Sequence, residues 1–171
     1  MKRIGVFCDV SNLYYCVCRK YTGRKLDYQK YYDFVKGLGE IQIANAYGSQ
    51  MRSEAHKFIK CLKSVGFNAK FKAPKEYKNT KRKSDWDVGI AIDIVSMLDK
   101  IDTVILGSAD SDMEPCVKYA MDRGLQVIVL ACGVSSELHD VAHEVMEIPE
   151  SMLEKERIIK EHDEATKTEG P

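Results

Sequence analysis

The order in which two kinds of apolar segment follow one another constrains the fold of this chain most. Short apolar runs typical of buried strands alternate with longer segments whose apolar residues recur at helical spacing. Strands and helices that alternate in this way form a parallel sheet with helices on both faces. We therefore predict an α/β fold, a three-layer α/β/α sandwich with a mainly parallel central sheet. The predicted strands are residues 4–8, 41–47, 67–73, 103–106, 125–131 and 145–148.

The helical segments are predicted from the same periodicity and from their end signals. The segment 86–98 is apolar on nearly all sides, which predicts a buried helix. Residues 74–83 lack apolar periodicity and are predicted to form a loop. Tyr14 and Tyr15 are assigned to helix packing, and no ligand is assigned to them. The first predicted helix runs through residues 13–15, with Ser11 or Asn12 as its cap, and the others are 28–38, 54–65, 86–98, 113–123 and 136–142.

Length and composition limit the possible classes of protein. A chain of 171 residues corresponds to about one domain, which we expect over residues 1–149, followed by a charged tail over 150–171 that is helical or disordered. The 26 basic and 26 acidic residues balance, so the net charge gives no sign of a nucleic-acid partner. No apolar run is long enough for a membrane span and the N-terminus has no signal-peptide pattern, so we expect a cytoplasmic protein. A monomer and a homo-oligomer both remain open.

Aspartates follow two of the predicted strands at the point where each strand ends. Asp9 follows the first strand directly, and Asp110 and Asp112 follow the fourth. In a parallel sheet, ligands bind beyond the carboxyl ends of the strands. Carboxylates gathered there repel one another unless a cation compensates, and such hard oxygen ligands suit Mg²⁺ or Mn²⁺. The sequence therefore predicts a divalent metal site at this edge.

Helix capping is the competing interpretation of each of these aspartates, because Asp is favoured at helix starts. For Asp112, directly before the helix predicted to begin at residue 113, capping and metal binding are equally favoured. Capping explains Asp9 and Asp110 less well, because other residues stand closer to the predicted helix starts.

Two more aspartates lie in the apolar helix predicted over residues 86–98, where an ionised side chain needs a partner. Asp87 is in the first turn, where its charge suits the positive end of the helix dipole and its side chain can face the strand ends. Asp93 lies six residues later, about 120° around the helix and nearly two turns deeper. We therefore predict that Asp93 is a supporting residue, paired with a lysine or arginine, and that Asp87 belongs to the metal site.

Five segments in order resemble the NYN domain family, which belongs to the PIN-like nucleases. Together they cover residues 4 to 148, and their combination is more specific than any one of them. The segments are Phe-Cys-Asp-Val-Ser-Asn-Leu at 7–13, Lys-Ser-Asp-Trp-Asp-Val at 83–88 with Asp93, Gly-Ser-Ala-Asp-Ser-Asp-Met-Glu-Pro at 107–115, Gly-Leu-Gln-Val at 124–127, and Ser-Ser-Glu-Leu at 135–138.

The resemblance implies a PIN-like sandwich and metal-dependent cleavage of RNA, most simply by an endoribonuclease. By motif position it implies an acidic Mg²⁺ or Mn²⁺ pocket formed by Asp9, Asp87, Asp110 and Asp112. The same positions make Asn12 the polar catalytic residue beside Asp9 and Ser108 a supporting residue. Bound metal would polarise a phosphodiester and activate water, which requires no histidine, serine or cysteine nucleophile.

A basic segment precedes the apolar helix and is predicted to dock RNA. Residues 70–83 hold seven basic residues and one acidic residue, so 7 − 1 gives a local charge of +6. The alternative is a solvated loop without a ligand, which is the commoner role of a charge run. Its position directly before Asp87 favours contact with RNA, in which Phe71 and Tyr77 could stack on bases. The predicted RNA-binding residues are Lys72, Lys75, Lys78, Lys81, Arg82 and Lys83.

Two other functions compete with a nuclease. Phosphotransferases of the haloacid dehalogenase type also place an Asp after the first strand, but they require a second Asp two residues later, where this chain has Ser11. A non-catalytic RNA-binding or regulatory module with the PIN-like fold is the second alternative. The retained cluster of carboxylates favours the enzyme.

Overall fold

The computed structural model of the protein describes residues 1–49, 55–72, 76–77, 80–81 and 86–155. Within this part, six strands form one sheet and four further residues form a separate antiparallel pair. The strands of the main sheet are β1 (Arg3–Asp9), β2 (Glu40–Ser49), β3 (Asn68–Lys72), β6 (Thr103–Gly107), β7 (Gln126–Ala131) and β8 (Glu144–Glu147), and the separate pair is β4 (Glu76–Tyr77) with β5 (Thr80–Lys81).

Helices cover the sheet to give the predicted PIN-like three-layer sandwich. Two short 3₁₀-helices, at Ser111–Met113 and Glu150–Met152, accompany the α-helices. The α-helices are α1 (Val10–Lys20), α2 (Tyr28–Leu38), α3 (Ala55–Val65), α4 (Asp87–Ser96), α5 (Glu114–Asp122) and α6 (Ser136–Val141).

The strand order explains why one edge of the sheet is suited to binding. The order is β3-β2-β1-β6-β7-β8, and every pairing in this sheet is parallel. The chain therefore builds outward from β1 on one side and then crosses to β6 to build the other side. Cys8 near the end of β1 pairs with Gly107 at the end of β6. The loops after β1 and β6 consequently emerge side by side at the topological switch point.

Close packing beneath these two loops holds them in place. All five residues of β6 are buried, as are five consecutive residues of β1, Ile4 to Cys8. Gly107 leaves no room for a larger residue, because an added Cβ would lie 2.9 Å from Cys8 Sγ and 3.0 Å from Leu13 Cδ1. The floor of the switch point is therefore closely packed.

The structure corrects the prediction for the helix that carries Asp87. We predicted that this helix, α4, is buried on all sides, but Val88 is 73% exposed and Ile92 is 62% exposed. Only Ile90 and Ile94 are buried within α4, because the helix lies on the outside of the sheet and contacts it along one face. Apolar composition alone does not distinguish a central helix from an outer one.

Smaller differences occur on either side of α4 and at the end of the chain. The region predicted as a loop, residues 74–83, contains the short pair β4–β5. In the region predicted as a tail, Met152 and Leu153 are buried, and Leu153 forms a bridge with Leu26. Residues 156–171 lie outside the described residues. None of the described helices has the length and apolar character needed to cross a membrane.

Candidate metal centre

Three carboxylates from two separate parts of the chain meet at the carboxyl edge of the sheet. Asp87 comes from the first turn of α4, and Asp110 and Asp112 come from the loop and 3₁₀-helix that follow β6. One oxygen atom from each lies within 4.8 Å of the other two. Asp87 and Asp110 are partly buried and Asp112 is exposed, so the group opens to solvent on one side.

The donor set and its spacing fit a hard divalent cation. Opposite ligands of octahedral Mg²⁺ lie about 4.2 Å apart, twice the ligand distance of about 2.1 Å. Oxygens within 4.8 Å of one another therefore need only small side-chain rotations to share one ion. The exposed side agrees with the tendency of Mg²⁺ to keep several waters. The structure thus contains an acidic group able to hold a metal ion.

Local hydrogen bonds fix the position of Asp110. Its Oδ1 accepts from the backbone N–H of Asp112 at 3.1 Å and so caps the 3₁₀-helix. Its own backbone N–H donates to Oγ of the buried Ser108 at 3.3 Å. A carboxylate has a second oxygen, so this capping bond leaves Asp110 able to bind a metal as well. Ser108 thus bonds directly to the loop, and its assignment as a supporting residue stays a prediction.

Trp86 fixes the helix turn that carries Asp87. The indole N–H of Trp86 donates to the carbonyl oxygen of Gly48 at 2.9 Å, and its ring lies 5.3 Å from that of Tyr47. Gly89 lies against the same ring, where an added Cβ would be 2.8 Å from Cε3. The first turn of α4 is thereby fixed to the end of β2, which holds Asp87 over the carboxyl edge.

Asp9 and Asn12 organise the neighbouring loop. Asp9 caps α1, since its Oδ1 accepts from the N–H of Asn12 at 2.9 Å. Asn12 Oδ1 in turn accepts from the N–H of Ala109 at 2.9 Å, which ties α1 to the loop that carries Asp110. Asp9 is not a member of the group of three carboxylates, so its role as a metal ligand stays a prediction.

Our assignment of the helix caps was wrong. We considered capping least suited to Asp9 and Asp110, yet both cap helices, whereas Met113 occupies the cap position of α5 without a side-chain bond. The helices begin earlier than their apolar periodicity indicates: α1 begins at Val10, and a 3₁₀ turn precedes α5.

Asp93 belongs to a different cluster. Its Oδ2 accepts from Lys70 Nζ and from the Tyr47 hydroxyl, both at 2.6 Å, and from Asn45 Nδ2 at 3.3 Å. Burial raises the pKa of this carboxyl, but the bonds from Lys70 and Tyr47 outweigh it, so the net shift is downward. The pairing with a lysine that we expected is present, and Asp93 is not in the group of three.

The predicted basic docking segment is described only in part. Lys70, its first residue, is paired with Asp93, and Lys72 Nζ lies 3.6 Å from the centre of the Trp86 ring. Lys81 falls within β5. The remaining predicted RNA-binding residues, Lys75, Lys78, Arg82 and Lys83, lie outside the described residues.

Sequence reasoning missed a cleft that borders the group of three. The cleft has a volume of about 540 Å³ and is lined by Asp110 and Asn12, and also by Tyr15 and Arg19 of α1. Tyr15 is 51% exposed and Tyr14 46%, so neither is the packing residue that we predicted. The spacing 12, 15, 19 places these three side chains on one face of a helix, and this signal could have associated them with Asn12.

A comparison with protein families and with individual sequences places the chain among known proteins. The profile of the NYN domain matches residues 3–149. An uncharacterized protein of Methanocaldococcus jannaschii is 29% identical over 140 residues, which are 79% of this chain, and the chain spans only 53% of that protein's length. The low amplitude and bright protein LabA of Synechococcus elongatus is 22% identical over 166 residues, covering 90% of this chain and 88% of that protein.

A comparison with solved structures gives the same fold. The crystal structure of a protein of unknown function from Vibrio parahaemolyticus is similar with a TM-score of 0.82. The two sequences are 28% identical, and the match covers 89% of this chain and 96% of that one. The similarity therefore extends over most of this chain.

Proposed function

The chain belongs to the NYN domain family of PIN-like nucleases, and from this premise we propose that it is a metal-dependent endoribonuclease that uses Mg²⁺ or Mn²⁺. The observation that supports this most is the approach of Asp87, Asp110 and Asp112 to within 4.8 Å at the switch point of the sheet. Asp9, at the end of the adjacent strand, is proposed as the fourth acid.

Some residues of the site would bind the metal, and others would position the loops that carry the ligands. When bound, the metal would polarise the phosphodiester and activate water for attack. Asp110 would be the most rigid ligand, because its backbone is held by Ser108 and its Oδ1 by the N–H of Asp112. Asn12 would keep Asp9 and the Asp110 loop at a fixed separation through its bond to Ala109.

RNA docking by the basic segment is the second part of the proposal. The charge of +6 over residues 70–83 would bind phosphates without reading sequence, since phosphate contacts give affinity and little specificity. The segment leads into Trp86 and Asp87, so RNA held there would lie beside the acidic group. Lys72, Lys75, Lys78, Lys81, Arg82 and Lys83 are the proposed contacts.

A cleavage assay with matched variants tests the proposed activity. A fluorogenic single-stranded RNA should be cut by the wild type with Mn²⁺ or Mg²⁺ and not in EDTA. The Asp110→Asn variant should not cut, whereas Asp140→Asn, in α6 and outside the group of three, should cut as the wild type does. Tight RNA binding without any metal-dependent cleavage would instead establish the non-catalytic module, and turnover of a chromogenic phosphomonoester alone would establish a phosphatase.

A further inference from the structure

The cleft beside Asp110 has the size and the lining of a ligand site. Its volume of about 540 Å³ lies within the range of about 300–1,000 Å³ that is usual for small-molecule sites. Its lining comes from α1, from the loop after β6, and from Gly133 and Ser135 in the loop after β7. Asp110 belongs both to this lining and to the group of three carboxylates, so the cleft adjoins the proposed metal site.

One face of α1 lines the cleft with an aromatic ring and a guanidinium, two groups that commonly contact nucleic acids. Asn12, Tyr15 and Arg19 recur at a spacing of three and four residues, which places them on the same face of the helix. Along the helix axis Arg19 lies about 10 Å beyond Asn12, at 1.5 Å per residue. Asn12 is bonded to Ala109 next to Asp110, so Tyr15 and then Arg19 follow in order away from the acidic group.

Arg19 has no acidic partner among the described residues. Glu147, at the end of β8, pairs with Lys20 and accepts from the N–H of Gly133. None of the ion pairs among the described residues includes Arg19. The guanidinium lies beside Gly133, where an added Cβ would be 3.5 Å from Nη2, so the missing side chain leaves this end of the cleft open.

We propose that the cleft is a nucleotide subsite, in which Tyr15 stacks on a base and Arg19 pairs with the phosphate of a nucleotide next to the one held at Asp110. The inference rests on the proposed function and adds a substrate class to it. A base can stack on Tyr15 only when it has left its duplex, so the subsite selects single-stranded RNA. The basic segment at residues 70–83 precedes α4, so it would hold a different part of the strand.

The chain contains a matched control for this pair of residues. Tyr119 on α5 and Arg123, the residue that caps its C-terminus, have the same spacing of four residues, and Tyr119 is 40% exposed. Their side chains contact each other, with the guanidinium carbon 5.1 Å from the centre of the ring. Neither residue lines the cleft. A general effect of removing a surface tyrosine or arginine would therefore appear equally at both pairs.

The test is the affinity of a short fluorescent oligouridylate, measured by anisotropy in EDTA so that neither metal nor cleavage is required. We expect Tyr15→Ala to weaken binding about tenfold, because a stacked base contributes that order of affinity, and Tyr15→Phe to retain wild-type affinity. Arg19→Gln should reduce the slope of log affinity against log salt by about 0.7. Tyr119→Ala and Arg123→Gln should change neither quantity, and a duplex of the same sequence should not depend on Tyr15.

The possible outcomes separate the subsite from the proposed function. Equal affinities for Tyr15→Ala, Tyr119→Ala and the wild type would overturn the subsite, even if the wild type binds Mn²⁺ and cuts RNA. Loss of Mn²⁺ binding and cleavage with the dependence on Tyr15 retained would overturn the nuclease and keep the subsite. If free uridine monophosphate competes as effectively as the oligonucleotide, the cleft is a mononucleotide site. That result would overturn the assignment to an RNA strand. Melting curves of each variant report whether it is folded.

Discussion

Two aspartates on the same helix, Asp87 and Asp93, lie in clusters of opposite character. Asp93 is surrounded by donors, with Lys70 and Tyr47 each 2.6 Å from its Oδ2. Asp87 lies instead with two more acids, Asp110 and Asp112. No ion pair among the described residues includes Asp110 or Asp112. Where the protein itself supplies the cation, as for Asp93, an aspartate in an apolar helix has a structural role. Where the protein supplies further carboxylates, as for Asp87, the aspartate is a candidate metal ligand.

The origin of the two clusters lies in the strand order. Lys70 and Tyr47 come from β3 and β2, on the side of the sheet built first. Asp110 and Asp112 follow β6, on the side built second. Helix α4 connects the two sides, so its first turn meets the switch point and its later turns meet the basic residue of β3. One helix can therefore contribute to a stabilising network and to the proposed metal site.

The strongest contrast should come from Asp110→Asn compared with Asp93→Asn. Loss of a metal ligand should reduce metal-dependent RNA cleavage by at least about a hundredfold. The fold should persist, since removing one of three clustered charges relieves repulsion and leaves the melting temperature unchanged or raised. Cleavage rates and thermal melts of both variants measure this. Loss of cleavage by Asp93→Asn alone would reverse the assignment of the two clusters.

The stability of the fold should depend on Asp93 and not on Asp110. Asp93→Asn should lower the free energy of unfolding by about 1–2 kcal/mol, between the values for exposed and buried ion pairs, because Lys70 would lose its partner. Its affinity for Mn²⁺ should stay within about twofold of the wild type. Urea denaturation and calorimetric titration give the two quantities. If the free energy of Mn²⁺ binding falls by more than the free energy of unfolding, Asp93 belongs to the metal site.

Acid should remove the difference in the free energy of unfolding between the wild type and Asp93→Asn. The pKa of Asp93 is lowered in the folded protein, so its charge stabilises the fold fully above the unfolded value of about 3.9. That stabilisation is lost as the pH falls through the lowered folded pKa. Denaturation from pH 6 downward should show the two proteins converging only in strong acid. A difference that stays constant across the range would mean that the carboxylate charge is not its source.

The smallest expected effect concerns Lys72, which lies over the Trp86 ring that fixes Asp87. Lys72→Met should cost about 0.5–1 kcal/mol of stability, the size of an exposed cation–π contact. It should also lower the salt slope of RNA binding by about 0.7 if the same lysine contacts a phosphate. Lys100→Met, a lysine beyond the end of α4, is the control. An unchanged slope would confine Lys72 to its contact with Trp86.

Much of the fold could be predicted from the sequence, because periodicity and end signals are local. The helix Tyr28–Leu38 and its end at Gly39 follow from such signals, and so do the six strands and their parallel arrangement. The exposed face of α4 could not be predicted, since nothing in an apolar helix says which of its sides meets the sheet. The caps at Asp9 and Asp110 were missed because they depend on where the first helical turn begins.

The candidate site could be predicted in part for the same reason. Asp110 was placed at the carboxyl edge of the sheet from strand alternation, and Asp87 from its position in the first turn of its helix. The structure brings them together with Asp112. For Asp93 we predicted a lysine or arginine partner but not that it would be Lys70. Which residue of β3 lies beside α4 depends on the packing of the whole fold. The exposure of Tyr15 and its place beside Arg19 also required the packed structure, since helical spacing is equally typical of core residues.

The most direct test is a crystal structure grown with Mn²⁺ and measured near the manganese absorption edge. Anomalous scattering locates the ion independently of any assay of activity. We expect one strong anomalous peak between Asp87, Asp110 and Asp112, with Asp93 still bound to Lys70, and no such peak in crystals of Asp110→Asn. A wild-type crystal at millimolar Mn²⁺ with no peak among these three carboxylates, or with a peak ligated by Asp93, would contradict it.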